Sequence, residues 1–223
     1  RQAIEICRQQ MQLAKESGLT QTVVVKFLLA IWGEILAEMN DLDGARQKME
    51  KSLEISERGG DVAMLGWSCI CLIRVLFSSG DFSGAEEVVN KLNDAARENF
   101  VPPWIMNQNA AWQARLWLAQ GRLEATSQWV ANRQLTAVEP IYPHEMEYIS
   151  LARFLIAQTQ LDEAAKLLQT LFKAAKNGGR ITRMIEIMIL QALVFQAKGK
   201  TDRALSFLEQ AFREAEPKGF IRI

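Results

Sequence analysis

The sequence holds one histidine, His144, and three cysteines among 223 residues, and it carries no excess of either charge. A single histidine leaves a hydrolytic triad short of a base. Cys7, Cys69 and Cys71 form an odd, low count without framework spacing, which suits a reducing cytoplasm better than a secreted fold. With 26 basic and 26 acidic residues the formal charge is zero, so no polyelectrolyte partner is implied. A nucleic-acid-binding module would show a basic excess on one face, so no direct nucleic-acid contact is expected. No run approaches the roughly 18 to 20 apolar residues of a membrane span, and no signal sequence opens the chain. The expected location is cytoplasmic, without membrane contact.

The fragments that resemble catalytic or metal motifs fail on their surroundings. Gly199-Lys200-Thr201 looks like the end of a phosphate-binding loop, but Val194 stands where that loop needs glycine, and no strand precedes it. Cys69 and Cys71 are two apart on a helix and point to nearly opposite sides, so a zinc site would need ligands from elsewhere. Glu145 with Glu147, and Glu86 with Glu87, read as solvated helix faces. The expectation is no enzyme, no catalytic residue, no metal and no cofactor in this stretch.

What is present is a repeat. The residues 147–175 read at helical spacing as two amphipathic segments joined by the elbow Gln158-Thr159-Gln160. Aligned on the small residue after each elbow, the chain gives Ala45, Ala85, Thr126, Ala164 and Ala204, spaced 40, 41, 38 and 40 residues apart, with Ala3 a fainter member. Four residues on stand Cys7, Met49, Val89, Val130, Leu168 and Leu208, all apolar and one helical turn later. Twelve before stand Gly33, Ile73, Ala114, Ala152 and Ala192, four of them small, as close helix crossing requires. Nine before stand the large residues Leu36, Leu76, Trp117, Leu155 and Phe195.

In order, a first helix over 2–16 lacks a partner, and hairpins follow at 21–57, 62–98, 104–135, 145–176 and 181–215. The longest interruption, 136–144, holds Pro140, Tyr142 and Pro143. No stretch reads as a strand, the last four residues being the one candidate. Because Arg1 begins directly in a repeat's second helix, the chain reads as a single helical-repeat domain cut from a larger protein.

The small residue of the first helix, the large one a turn later, elbows such as Gly80-Asp81-Phe82 and Gly121-Arg122-Leu123, and the alanine of the second helix resemble the tetratricopeptide repeat. The expected fold class is therefore all-α: a tetratricopeptide-like right-handed superhelical solenoid of about five and a half hairpins. The period near 40, against roughly 34 in that family, puts extra residues into the connections between hairpins. Such solenoids bind ligands on the concave side lined by first helices. In this frame one inward column reads Glu34, Arg74, Arg115, Arg153 and Leu193, and another, seven residues earlier, reads Phe27, Trp67, Gln108, Met146 and Glu186. Glu34, Trp67, Arg74, Arg115 and Arg153 are the candidate ligand-binding residues: guanidiniums beside aromatic faces suit an anionic group, a carboxylate terminus or a sugar. The alternative is that each arginine pairs with a glutamate on the neighbouring helix and only solubilises the groove.

The C-terminal half carries a further resemblance. Glu147-Tyr148-Ile149-Ser150-Leu151-Ala152-Arg153, Leu161-Asp162-Glu163-Ala164, Ile185-Glu186-Ile187 and the ending Glu216-Pro217-Lys218-Gly219-Phe220-Ile221-Arg222 are similar to the sensor region of the large ATP-dependent LuxR-type transcription regulators. The resemblance covers residues 105–223 well and the earlier hairpins only as repeats. It implies a domain that receives a small-molecule inducer or a regulatory protein or peptide. That domain would pass the event to neighbouring modules of the same chain, a nucleotide-binding switch before it and a helix-turn-helix after it, with self-association among the consequences. A free-standing adaptor that clamps a partner's peptide tail is the other reading the repeats allow.

Overall fold

The computed structural model describes residues 2–135 and 144–221, and among them every regular element is helical. The helices are α1 (Gln2–Glu16), α2 (Val23–Glu38), α3 (Leu42–Arg58), α4 (Val62–Ser79), α5 (Phe82–Glu98), α6 (Pro103–Ala119), α7 (Leu123–Asn132), α8 (Glu145–Ala157), α9 (Leu161–Asn177), α10 (Ile181–Ala197) and α11 (Thr201–Ala215), followed by a 3-10 turn at Glu216–Lys218. Of the 136–144 connection only His144 lies within the described residues. Of the four C-terminal residues, Phe220 and Ile221 form no strand, and Arg222 and Ile223 lie outside the described residues.

The same local device closes the first helix of each hairpin. The N–H groups of Asp41, Asp81, Arg122, Gln160 and Lys200 donate to the carbonyls of Leu36, Leu76, Trp117, Leu155 and Phe195 at 2.7–2.9 Å. The residue before each donor has positive φ: Asn40, Gly80, Gly121, Thr159 and Gly199. A left-handed residue followed by this six-to-one bond is the Schellman closure, which satisfies carbonyls that a helix end would leave unpaired. The large column nine residues before each small position thus supplies the carbonyl that ends its helix, and at Leu76 and Leu155 a core side chain as well.

The chain forms two compact units, residues 1–112 and 113–221, the division falling inside α6. In the first unit three aspartates cap successive helices. Asp41 accepts from Gly44 N at 3.0 Å, Asp61 from Met64 N at 3.1 Å and Asp81 from Gly84 N at 2.9 Å. A carboxylate there answers the free N–H groups and the positive end of the helix dipole. The small first-helix position matters where α2 meets α3: a Cβ on Gly33 would lie 2.6 Å from Met49 Cε. A second close approach joins α4 to α6, where a Cβ on Gly66 would lie 2.8 Å from Ile105 Cγ2.

In the second unit the core is built on Ile149, Leu155, Leu167, Leu168, Leu171, Ile187 and Val194. Full burial of each such side chain contributes about 1.5–3 kcal/mol before chain entropy is counted. Ala152 and Ala164 are fully buried here, at the contact of α8 with α9.

Two hairpin limits differ from the sequence reading by two residues or more, each for a local reason, and one expectation about apolar runs also fails. The helix expected from residue 21 begins at Val23, because Thr22 is extended and its hydroxyl bonds Leu19 O at 2.9 Å. The helix expected to reach residue 135 ends at Asn132, where Gln134 takes positive φ. The expectation that no run approaches a membrane span fails at α4, whose 18 residues are long and apolar enough by length and composition. More than half of that helix is buried within the first unit, as befits a core helix.

Candidate functional site

The five candidate residues fall on both units. In the first, Glu34 accepts from Cys71 Sγ at 3.2 Å, and Arg74 lies 3.6 Å from Glu38, so both are tied to the adjoining first helix. Trp67 stands edge-on between Phe27 and Trp104, with ring centroids 5.5 and 5.7 Å apart. These three rings come from α2, α4 and α6, one per hairpin, and Phe27 and Trp104 remain exposed at 43% and 39%. Phe27 was legible as a member of the inward column; Trp104, following two prolines, had no column to place it.

In the second unit Arg115 and Arg153 meet on one carboxylate. Arg115 Nη2 donates to Glu186 Oε1 at 2.8 Å and Arg153 Nη2 to the same oxygen at 3.0 Å. Arg183, one turn before Glu186 on α10, donates from Nη1 to Oε2 at 3.0 Å. Arg115 also donates from Nε to Ser150 Oγ at 3.3 Å. Beside this cluster Arg180 grips Glu145 through Nε and Nη2 at 2.8–3.1 Å. Three first helices, α6, α8 and α10, therefore converge on Glu186.

Burial gives this cluster its weight. Arg115 and Glu186 are 7% and 5% exposed. Burial by itself would push the Glu186 carboxyl up, but Arg115, Arg183 and Arg153 outweigh it and hold the group well below the ordinary carboxylate range. For Arg115 burial is the largest influence and pulls its pKa down to about 9; Glu186 opposes this, while Arg153 and Arg183 reinforce it. The guanidinium remains charged at neutral pH. A second buried acid, Glu147 on α8, contacts His144 Nδ1 at 2.5 Å and Arg133 at 3.5 Å.

The sequence reading placed Arg115, Arg153 and Glu186 on one wall. It missed Arg180 and Arg183, which belong to no repeat column; the three-residue spacing from Arg183 to Glu186 was the available signal. Among the described residues no group of three or more His, Cys, Asp or Glu is placed to hold a metal ion.

Helix hairpins closed by a common elbow and stacked through small residues define a tetratricopeptide-like repeat protein. The solved structure of BtubC from P. vanneervenii shares this fold, with a TM-score of 0.59 and 15% identity over 100% of this chain and 91% of that one. The TPR-like repeats described as kinesin light chain of Podosopora anserina match at a TM-score of 0.50 and 18% identity, over 85% of this chain and 94% of that one. The chain belongs to the MalT-like TPR region family, whose model matches residues 1–223. It is 23% identical to the HTH-type transcriptional regulator MalT of Vibrio campbellii over 98% of its own length. It spans about a quarter, 24%, of the curated relatives it matches.

Proposed function

We propose that this chain is the signal-receiving repeat domain of an ATP-dependent LuxR-type transcription regulator. A small-molecule inducer or a regulatory protein would bind its first-helix wall and act on the nucleotide-binding and DNA-binding modules of the parent protein. The observation that carries this reading is the match of the whole chain to the MalT-like TPR region, together with relatives that are HTH-type regulators. The role is binding and coupling, with no chemistry assigned to this stretch. In physical terms a signal changes the switch only by its differential affinity for two arrangements of the repeats. The convergence of α6, α8 and α10 on Glu186 supplies a joint that such a ligand could bias.

Thermal unfolding with panels of metabolites and of carboxylate-ended peptides tests the reading. A sensor predicts that at least one member of the panels raises the unfolding temperature in wild type and that Arg153→Ala diminishes the shift. No shift with any metabolite, alongside saturable binding of the peptides, would favour a peptide-clamping adaptor instead.

A further inference from the structure

Arg153 and Arg183 reach the Glu186 carboxylate from its two oxygens, each through one N–H at 3.0 Å. The carboxylate below is 6% exposed, whereas the side chains of Arg153 and Arg183 are 37% and 32% exposed. A guanidinium carries five N–H donors, of which each of these partly exposed side chains gives one to Glu186. Glu186 is moreover shared with Arg115, so three guanidiniums converge on this carboxylate, and a second acid near them, Glu145, is divided between Arg180 and Arg183. Their mutual repulsion is visible at Arg115, where Arg153 and Arg183 both disfavour the charged form. The Nε–H of Arg153 is buried without a hydrogen-bond acceptor. A donor in that condition is ordinarily matched by an ion, a water or a ligand. Glu145, held by Arg180, forms a longer ion pair with Arg183 Nε at 3.9 Å, beyond hydrogen-bond length, so it takes none of the pair's N–H donors.

We propose that Arg153 and Arg183 form the mouth of an oxyanion-binding site on the first-helix wall of residues 113–221, which takes the phosphate or carboxylate group of a small ligand. The proposal rests on the sensor reading and narrows its ligand to an anion. Two guanidinium forks fixed on one carboxylate are oriented in advance, so a planar or tetrahedral oxyanion meets donors that need little further ordering. The anion also screens three cations from one another. Its binding is therefore linked to how firmly α6, α8 and α10 are held on Glu186, the property a sensor requires.

Sodium phosphate and sodium acetate, titrated separately at constant ionic strength into the 223-residue chain and followed by calorimetry, test this. The expected result is saturable binding of at least one of them, weakened about tenfold or more by Arg153→Gln and by Arg183→Gln, as loss of a charged donor implies. Arg153→Lys keeps the charge without the fork and falls between wild type and Arg153→Gln. Arg46→Gln, which removes an exposed pair with Glu50 in the other unit, leaves binding within about twofold. Binding of phosphate alone identifies a phosphoryl ligand, and binding of acetate alone a carboxylate. No saturable binding of either anion, or binding unchanged in both glutamine variants, overturns the proposal. If a neutral metabolite or a peptide still shifts thermal unfolding, only the ligand class falls; if no member of either panel does, the sensor reading falls with it.

Discussion

Arg115 on α6 and Glu186 on α10 are joined by a 2.8 Å ion pair in which neither side chain is more than a tenth exposed. Removing one partner leaves the other charge buried. We expect Glu186→Ala to cost about 3–5 kcal/mol, while Arg115→Met combined with Glu186→Leu costs less than the sum of the single changes. Urea unfolding of the four proteins of this cycle measures the coupling, and strictly additive effects would show that the pair is not a unit.

The same carboxylate sets an acid limit. Its folded pKa lies below its unfolded value, so its stabilising contribution is complete above the ordinary glutamate range. As pH falls below about 4.3 the unfolded state binds protons that the folded state refuses, and stability declines. Glu186→Gln should flatten the decline between about pH 4.5 and pH 2. Unfolding midpoints measured across that window give the slope, and identical slopes in both proteins would contradict the assignment.

Thr159 occupies a left-handed position with φ of 58°, where three other elbows place glycine. A β-branched residue pays about 1–2 kcal/mol there, against a smaller entropic cost for glycine. Thr159→Gly should therefore raise stability by about 0.5–1 kcal/mol, and Asn40→Gly by less, because asparagine tolerates this conformation. A denaturant midpoint that fell in Thr159→Gly would count against the shared elbow.

Two buried helix glycines should respond unequally to an added methyl. At Gly66 the new Cβ would press the branched, fully buried Ile105, and Gly66→Ala should lose about 1–3 kcal/mol despite its better helix propensity. At Gly33 the nearest atom is the flexible end of Met49, so Gly33→Ala should cost less. Comparing the two unfolding midpoints checks this order.

The repeat columns were legible because each is enforced within one hairpin: Gly33 against Met49, or the carbonyl of Leu155 closing its elbow, depends on a few neighbouring residues. Helix ends at Val23 and Asn132 were missed because single residues, Thr22 and Gln134, leave helical geometry there. The charge cluster was half legible. Column alignment set Arg115, Arg153 and Glu186 on one wall, but which arginine reaches which acid depends on how successive hairpins are rotated, which periodicity does not encode. Arg115 passes over the adjoining first helix to meet Glu186 on the next, and Arg183 joins from outside every column.

The central claim is that this repeat domain serves a switch and a DNA-binding module in the same polypeptide. Reading the parent gene on both sides of codons 1–223 tests it most directly. The account predicts a phosphate-binding loop upstream and a helix-turn-helix shortly downstream of Ile223. A stop codon soon after Ile223, with no nucleotide-binding segment upstream, would contradict it.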